Sequence, residues 1–253
     1  MKEIQHKRLF ITASIALFSI ATIVILWLHF LSPTRILIVN ALPAHRADIS
    51  LNNDSRHIKV DFIEWDEITS VSKYHAIMFY RRGLYVDSAR VAMIQDAAKK
   101  GVIVYTSSIN DIRGVQDYNL NDTQKDTLFY FSQNPTRGNY RNLLRYLRHL
   151  STPYKIGEQK YDSPEILPKD MFYHLKAGEY FKNSEELTQY LKREGLYNEG
   201  GRKVAFIAGV SFPVEGNRMH IDTLISRLTA TGYNVSPITS VSNRRADLLK
   251  DVN

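Results

Sequence analysis

Cysteine is absent from all 253 residues. That excludes disulfides, thiolate nucleophiles, zinc fingers and iron–sulfur ligation, so any metal chemistry would fall to His, Asp, Glu or carbonyl oxygens. The strand ends also lack a Gly-x-Gly-x-x-Gly turn, a Walker loop and a nucleophile elbow. Fold alone therefore gives no licence for a nucleotide, and function has to be argued from sites. A third gap is one of charge. Leu9 to Leu31, LFITASIALFSIATIVILWLHFL, contains no formally charged side chain. Its length exceeds the ~20 residues that cross a bilayer as a helix. Trp27 and His29 stand near one end, at the level of the headgroups.

The basic residues flanking this run set an orientation. Lys2, Lys7 and Arg8 precede it, while Arg35 and Arg46 are the nearest after it. The positive-inside bias predicts a cytoplasmic tail over 1–8, a single-pass inner-membrane anchor over 9–31 and a periplasmic body. A cleaved signal peptide is the rival reading. Its apolar core would span ~7–15 residues and end at a small-x-small site. This run is longer, and Leu-Ser-Pro-Thr follows it. The retained anchor is the expectation.

The chain as a whole has an ordinary globular composition, 44% hydrophobic and 23% charged, which excludes disorder as the default. A formal net charge of +7 suits an anionic ligand or membrane surface, and equally a solvated basic surface. Short apolar runs at Arg35–Ala41, Ile58–Trp65, Tyr74–Tyr80 and Val102–Tyr105 read as strands. A helix over Asp87–Lys100 buries Val91, Ile94 and Ala98 and ends at Gly101. Strands separated by helix-length connections predict an α/β fold over 35–150. It is a doubly wound parallel sheet of the Rossmann or flavodoxin kind, following a transmembrane helix. The loop after the first strand offers His45, Arg46 and Asp48, and the loop after the third offers Arg81 and Arg82. Paired arginines at strand carboxyl ends can hold a carboxylate through forked hydrogen bonds.

A further helix, Asn139–Leu150, buries Leu143, Leu144 and Leu147. It shows a stripe of Arg141, Arg145 and Arg148, with Arg137 before it. That stripe reads as a solvated face or a dock for an acidic partner. Without interleaved aromatic residues it does not read as a nucleic-acid surface. Residues 151–201 read as a connector, proline-rich at first and then carrying a helix that Ser184 caps. Tyr161, Phe172, Tyr173 and His174 pin it by packing. Residues 202–253 open a second α/β domain. Val204–Val210 is a buried strand, a loop carries Arg218 and His220, and Ile221, Leu224, Ile225 and Leu228 form one helix face. Gly232 ends that helix, and Asn234–Ile238 is the next strand. One or two strands bury too little surface to stand alone. The domain reads as incomplete, and the chain as the leading part of a larger protein.

Several segments together resemble a known family. They are the Asn134–Leu150 turn and Leu-rich helix, the connector PEILPKDMFYH, the segment YFKNSEELTQYLKREG, and KVAFIAG…GNRMHIDTLISRLTATGYNVSPI. The likeness is to the large subunit of cobaltochelatase (CobN) and the H subunit of magnesium chelatase, and it covers most of Arg35 to Asn253. Met171 and Leu175 replace the family's Gly and Pro around Tyr173-His174. The resemblance implies a tetrapyrrole metal chelatase, with cobalt, magnesium or iron as the metal and with ATP used by partner subunits. No cofactor is implied within this chain, and no catalytic residue carries over. The anchor is similar to that of the membrane-attached, HmuS-like proteins of haem uptake, which are linked to removing iron from haem. Arg81, Arg82, Arg218 and His220 are the expected contacts for tetrapyrrole carboxylates. A reading from a different class is a membrane-anchored ligand-binding protein without catalysis, or a truncated product without function.

Overall fold

The structure, a computed structural model, describes residues 2–80, 87–107, 114–157, 160–166, 170–174, 180–208 and 219–240. It opens with helix α1, Lys2–Leu26, which ends in a π-helical turn over Trp27–Leu31. Thr12–Leu31 is long and apolar enough to cross a membrane, and none of it is buried against protein.

Among the described residues the chain forms two four-stranded sheets. The first holds β1 (Thr34–Val39), β2 (Ile58–Ile63), β3 (Ala76–Phe79) and β4 (Ile103–Tyr105), all parallel, in the order β2-β1-β3-β4. Ile36 to Val39 and Ala76 to Phe79 are fully buried, as expected of central parallel strands covered on both faces. On one face Leu37, Val39, Ile77 and Phe79 pack with Ile94, Ala97 and Ala98 of α3 (Ser88–Lys99). Asp87 caps α3 by accepting the Arg90 N–H, and Gly101 follows in the left-handed region at φ 91°.

Two helices were not legible in the sequence. Residues 45, 46 and 48, expected in a loop, lie on α2 (Pro43–Leu51), which Pro43 opens from its first turn. The amphipathic pattern of α4 (Asp122–Gln133) is weak, and Asn121 and Gln124 begin it with reciprocal side-chain-to-backbone hydrogen bonds. The Leu-rich helix is α5 (Arg137–Ser151), with Leu143, Leu144 and Leu147 buried as expected. Its arginine stripe is not a free basic face. Arg141 and Arg145 both meet Asp54 at 3.1 Å, and Arg148 is completely buried. The Arg148 guanidinium donates to Thr34 Oγ1 at 2.6 Å and to the carbonyls of His57 and Ile156 at 3.0 Å. Its planar fork is spent inside the fold.

The second sheet has the order β6-β5-β8-β7. Its strands are β5 (Asp170–Tyr173), β6 (Tyr180–Phe181), β7 (Lys203–Ala208) and β8 (Asn234–Ser240). β7 and β8 are parallel, while β5 runs antiparallel to both β8 and β6. The end of the expected connector is thus a strand of this sheet, hydrogen-bonded between two others. Phe172, Leu187, Tyr190, Leu191 and Ile238 form one core with α6 (Ser184–Arg193). Tyr173, Ile221, Ile225 and Val235 form another with α7 (Met219–Ala230). Asn183, rather than Ser184, caps α6, accepting the Glu186 N–H at 2.8 Å while Glu186 accepts the Lys182 N–H. Gly232 leaves α7 at φ 89°, as its place in the sequence predicts.

By compactness the chain divides into one unit of residues 1–41, 53–129 and 141–163, and a second of 42–52, 130–140 and 164–253.

Candidate functional site

In the first unit the strand order reverses direction of growth at β1, which has β2 on one side and β3 on the other. In open parallel sheets the crevice for a ligand lies outside the carboxyl ends at such a switch point. Here that edge is built from Asn40 after β1, Tyr80 after β3, and Thr106 and Ser107 after β4. Asn40 holds φ 55° and Ser107 φ 52°, left-handed values that few non-glycine residues adopt. The Asn40 strain is supported by its own side chain, whose Oδ1 accepts the Trp65 N–H at 2.7 Å. Tyr80 N–H donates to the Val39 carbonyl at 3.0 Å, holding the exit of β3 against β1. Thr106 N–H and Oγ1–H both donate to Asp117 Oδ1, at 2.7 and 2.8 Å. These bonds hold Asn40, Tyr80 and Thr106 in place. Arg81 and Arg82 leave from Tyr80 and lie outside the described residues.

In the second unit the corresponding edge is where β7 ends at Ala208 and α7 begins at Met219. Both ends of the connection 209–218 are fixed, while the connection itself, with Arg218, lies outside the described residues. His220 sits in the first turn of α7 and is exposed. Close behind it, Tyr173 Oη–H donates to Asp222 Oδ1 at 2.6 Å, a short charge-assisted hydrogen bond. This bond fastens the first turn of α7 to β5. From Phe172 the side chains alternate between faces: Phe172 packs with α6, Tyr173 is buried towards α7, and His174, just past β5, lies with its ring 5.4 Å from that of Tyr190 on α6. Sequence reasoning had Tyr173 only as packing and passed over Asp222. The signal was present, since Tyr173-His174 and Ile221-Asp222 are both pieces of the quoted motifs, and the fold joins them.

His45 Nδ1 lies 3.0 Å from Tyr140 Oη, and burial holds its pKa below the usual histidine value. Asp48 is buried and its backbone carbonyl accepts the Asn52 side-chain amide. Neither is presented as an open ligand for substrate. Among the described residues no group of three or more His, Asp or Glu gathers to hold a metal.

This geometry defines a class: an α/β protein with two sheets, each presenting a strand-to-helix loop edge, and with an apolar N-terminal helix. Residues 129–252 match the family model described as CobN/Magnesium Chelatase. Among solved structures, the catalytic subunit of cobaltochelatase from Mycobacterium tuberculosis aligns with a TM-score of 0.53 over 86% of this chain, at 13% identity. The aligned share exceeds the family-matched segment, so the shared fold reaches into the first sheet as well. This chain spans 17% of the length of that solved chain. No curated protein matches it significantly. The resemblance to the CobN/magnesium chelatase family read from the sequence is thus borne out over residues 129–252.

Proposed function

We propose that this chain is the N-terminal, membrane-anchored portion of a CobN-like protein that binds a tetrapyrrole for metal insertion or removal. The observation that carries the reading is the family match over 129–252. The strand-end loops of each unit are the proposed contacts for the macrocycle's carboxylates, and the divalent metal is cargo rather than a resident of this chain. Arg81 and Arg82 leave the switch-point edge of the first unit. Arg218 and His220 lead into α7 in the second. Each pair is a candidate carboxylate contact in its own unit, since forked and charge-assisted hydrogen bonds suit a propionate. ATP, where the reaction needs it, is handled by separate partner subunits. The helix Thr12–Leu31 supports a single span, and the positive-inside bias of Lys2, Lys7 and Arg8 favours a cytoplasmic tail and a periplasmic body.

The test uses the whole chain in detergent or nanodiscs. A metal-free porphyrin bearing free propionates is titrated in beside its fully esterified analogue, following the Soret band. The free acid should bind and the ester bind much more weakly, with no metal inserted by this chain alone. Equal binding of acid and ester would remove the arginine–carboxylate role, and metal turnover would remove the claim that the chain only binds the macrocycle.

A further inference from the structure

The exit of the N-terminal helix is built into the fold by a loop from far along the chain. In its last turn the helix is π-wound, and Ser32 N–H donates to the Trp27 carbonyl at 2.8 Å. Ser32 Oγ–H donates to the Leu28 carbonyl. The Phe30 carbonyl accepts the Ile156 N–H at 2.8 Å. Lys155 Nζ donates to both the carbonyl and the hydroxyl of Ser32 at 2.9 Å, and the Tyr154 ring stacks on His29 with centroids 4.6 Å apart. Residues 154–156 thus supply the partners that a helix end lacks, together with a cation where the helix dipole is negative.

The consequence concerns depth. A 2.8 Å hydrogen bond places the Ile156 backbone level with Phe30, one residue before the apolar run ends at Leu31. Any bilayer that covers the helix to its end must meet residue 156 at the same level. The side chains there suit that position. Ile156 is 61% exposed and Tyr154 47%, beside Trp27 at 51% and Leu31 at 46%. These are apolar and aromatic groups that soluble surfaces scatter singly but that membrane interfaces collect. The loop is also stiff. Its carbonyl at Ile156 is held by the buried Arg148, which binds Thr34 at the start of β1.

We infer that the loop Thr152–Ile156 is a second membrane contact, with Tyr154 and Ile156 seated in the lipid interface beside the end of the anchor. The amino ends of the first sheet's strands then face the bilayer, and their carboxyl ends, with the switch-point crevice, face away from it. This rests on the reading of Thr12–Leu31 as a span, and the test separates the two. Because the chain has no cysteine, single cysteines can be placed at will. The variants Leu31→Cys, Ile156→Cys, Tyr154→Cys and Glu67→Cys carry an environment-sensitive fluorophore in the full chain, reconstituted in vesicles containing nitroxide-labelled lipids. Glu67 lies just past the carboxyl end of β2, about 20 Å from the level of Thr34 for a six-residue strand. The expected result is quenching and a blue-shifted emission at 31, 154 and 156 alike, with neither at 67. Quenching at 31 but with 154 and 156 behaving like 67 would overturn the inference and leave the anchor standing. No quenching at 31 would reject the span itself, and the inference with it.

Discussion

At the scale of single residues, the first unit keeps several positive groups around the start of β1. His75 Nδ1 accepts the Arg35 N–H at 3.0 Å, so the imidazole is held neutral. Burial lowers its pKa first, and the nearby charges of Lys155, Arg35 and Arg148 lower it further. A histidine with a native pKa below its unfolded value of about 6.5 is protonated more readily in the unfolded chain. Its contribution is intact above pH 6.5 and is lost as pH falls through the native pKa. Urea unfolding midpoints should decline below pH 6.5, and His75→Asn should flatten that decline. Arg148 should matter more. Arg148→Ala removes one donor from each of the buried oxygens of Thr34, His57 and Ile156, at a cost of about 3 kcal/mol in denaturant unfolding. Arg148→Lys should recover only part of it, because an ammonium cannot reproduce the fork. In the second unit, Tyr173→Phe loses the bond to Asp222 and should cost about 2 kcal/mol, with Asp222→Asn intermediate.

Elements show where sequence patterns suffice and where they do not. The central strands were legible because a fully buried parallel strand is a continuous apolar run, as in Ile36–Val39 and Ala76–Phe79. α3, α5 and α7 were legible from periodic apolar faces and their terminal signals. α2 was not, because PAHRADISL carries three charged or titratable side chains and little periodic apolar content. β5 was hidden for another reason. Its four residues follow a proline-rich stretch, and their partners are the two-residue β6 and, more than sixty residues later, β8. The stripe of arginines on α5 shows the limit of reading charge from pattern. The sequence gives the spacing of Arg148 but not the ring of acceptors that lets it be buried. The loop after α5 offers an element-scale test. Gly157 has φ 111°, and a Cβ there would stand 2.8 Å from His57 Nε2. Gly157→Ala should destabilise the first unit by more than about 1 kcal/mol, measured by thermal unfolding.

For the whole molecule, the family resemblance was legible from motif residues, and the structure joins two of the quoted segments. Tyr173 of the connector and Asp222 of the last unit lie 49 positions apart and share one hydrogen bond. The expected carboxylate contacts were less legible. Of the four, the described residues place only His220, exposed in the first turn of α7. Loops at strand ends are chosen for ligands and not for packing, so apolar periodicity does not locate their side chains. The described ends that flank them are Tyr80 in one unit, and Ala208 and Met219 in the other. The most direct measurement of the central claim is a Soret-band titration of metal-free porphyrin into the full chain in nanodiscs, alongside Arg81→Ala/Arg82→Ala and Arg218→Ala/His220→Ala. The account predicts a shifted band for the parent chain and at least about tenfold weaker binding in one of the paired variants, since each lost charge-assisted hydrogen bond is worth about 1.5–3 kcal/mol. A parent chain that leaves the band unmoved would contradict it.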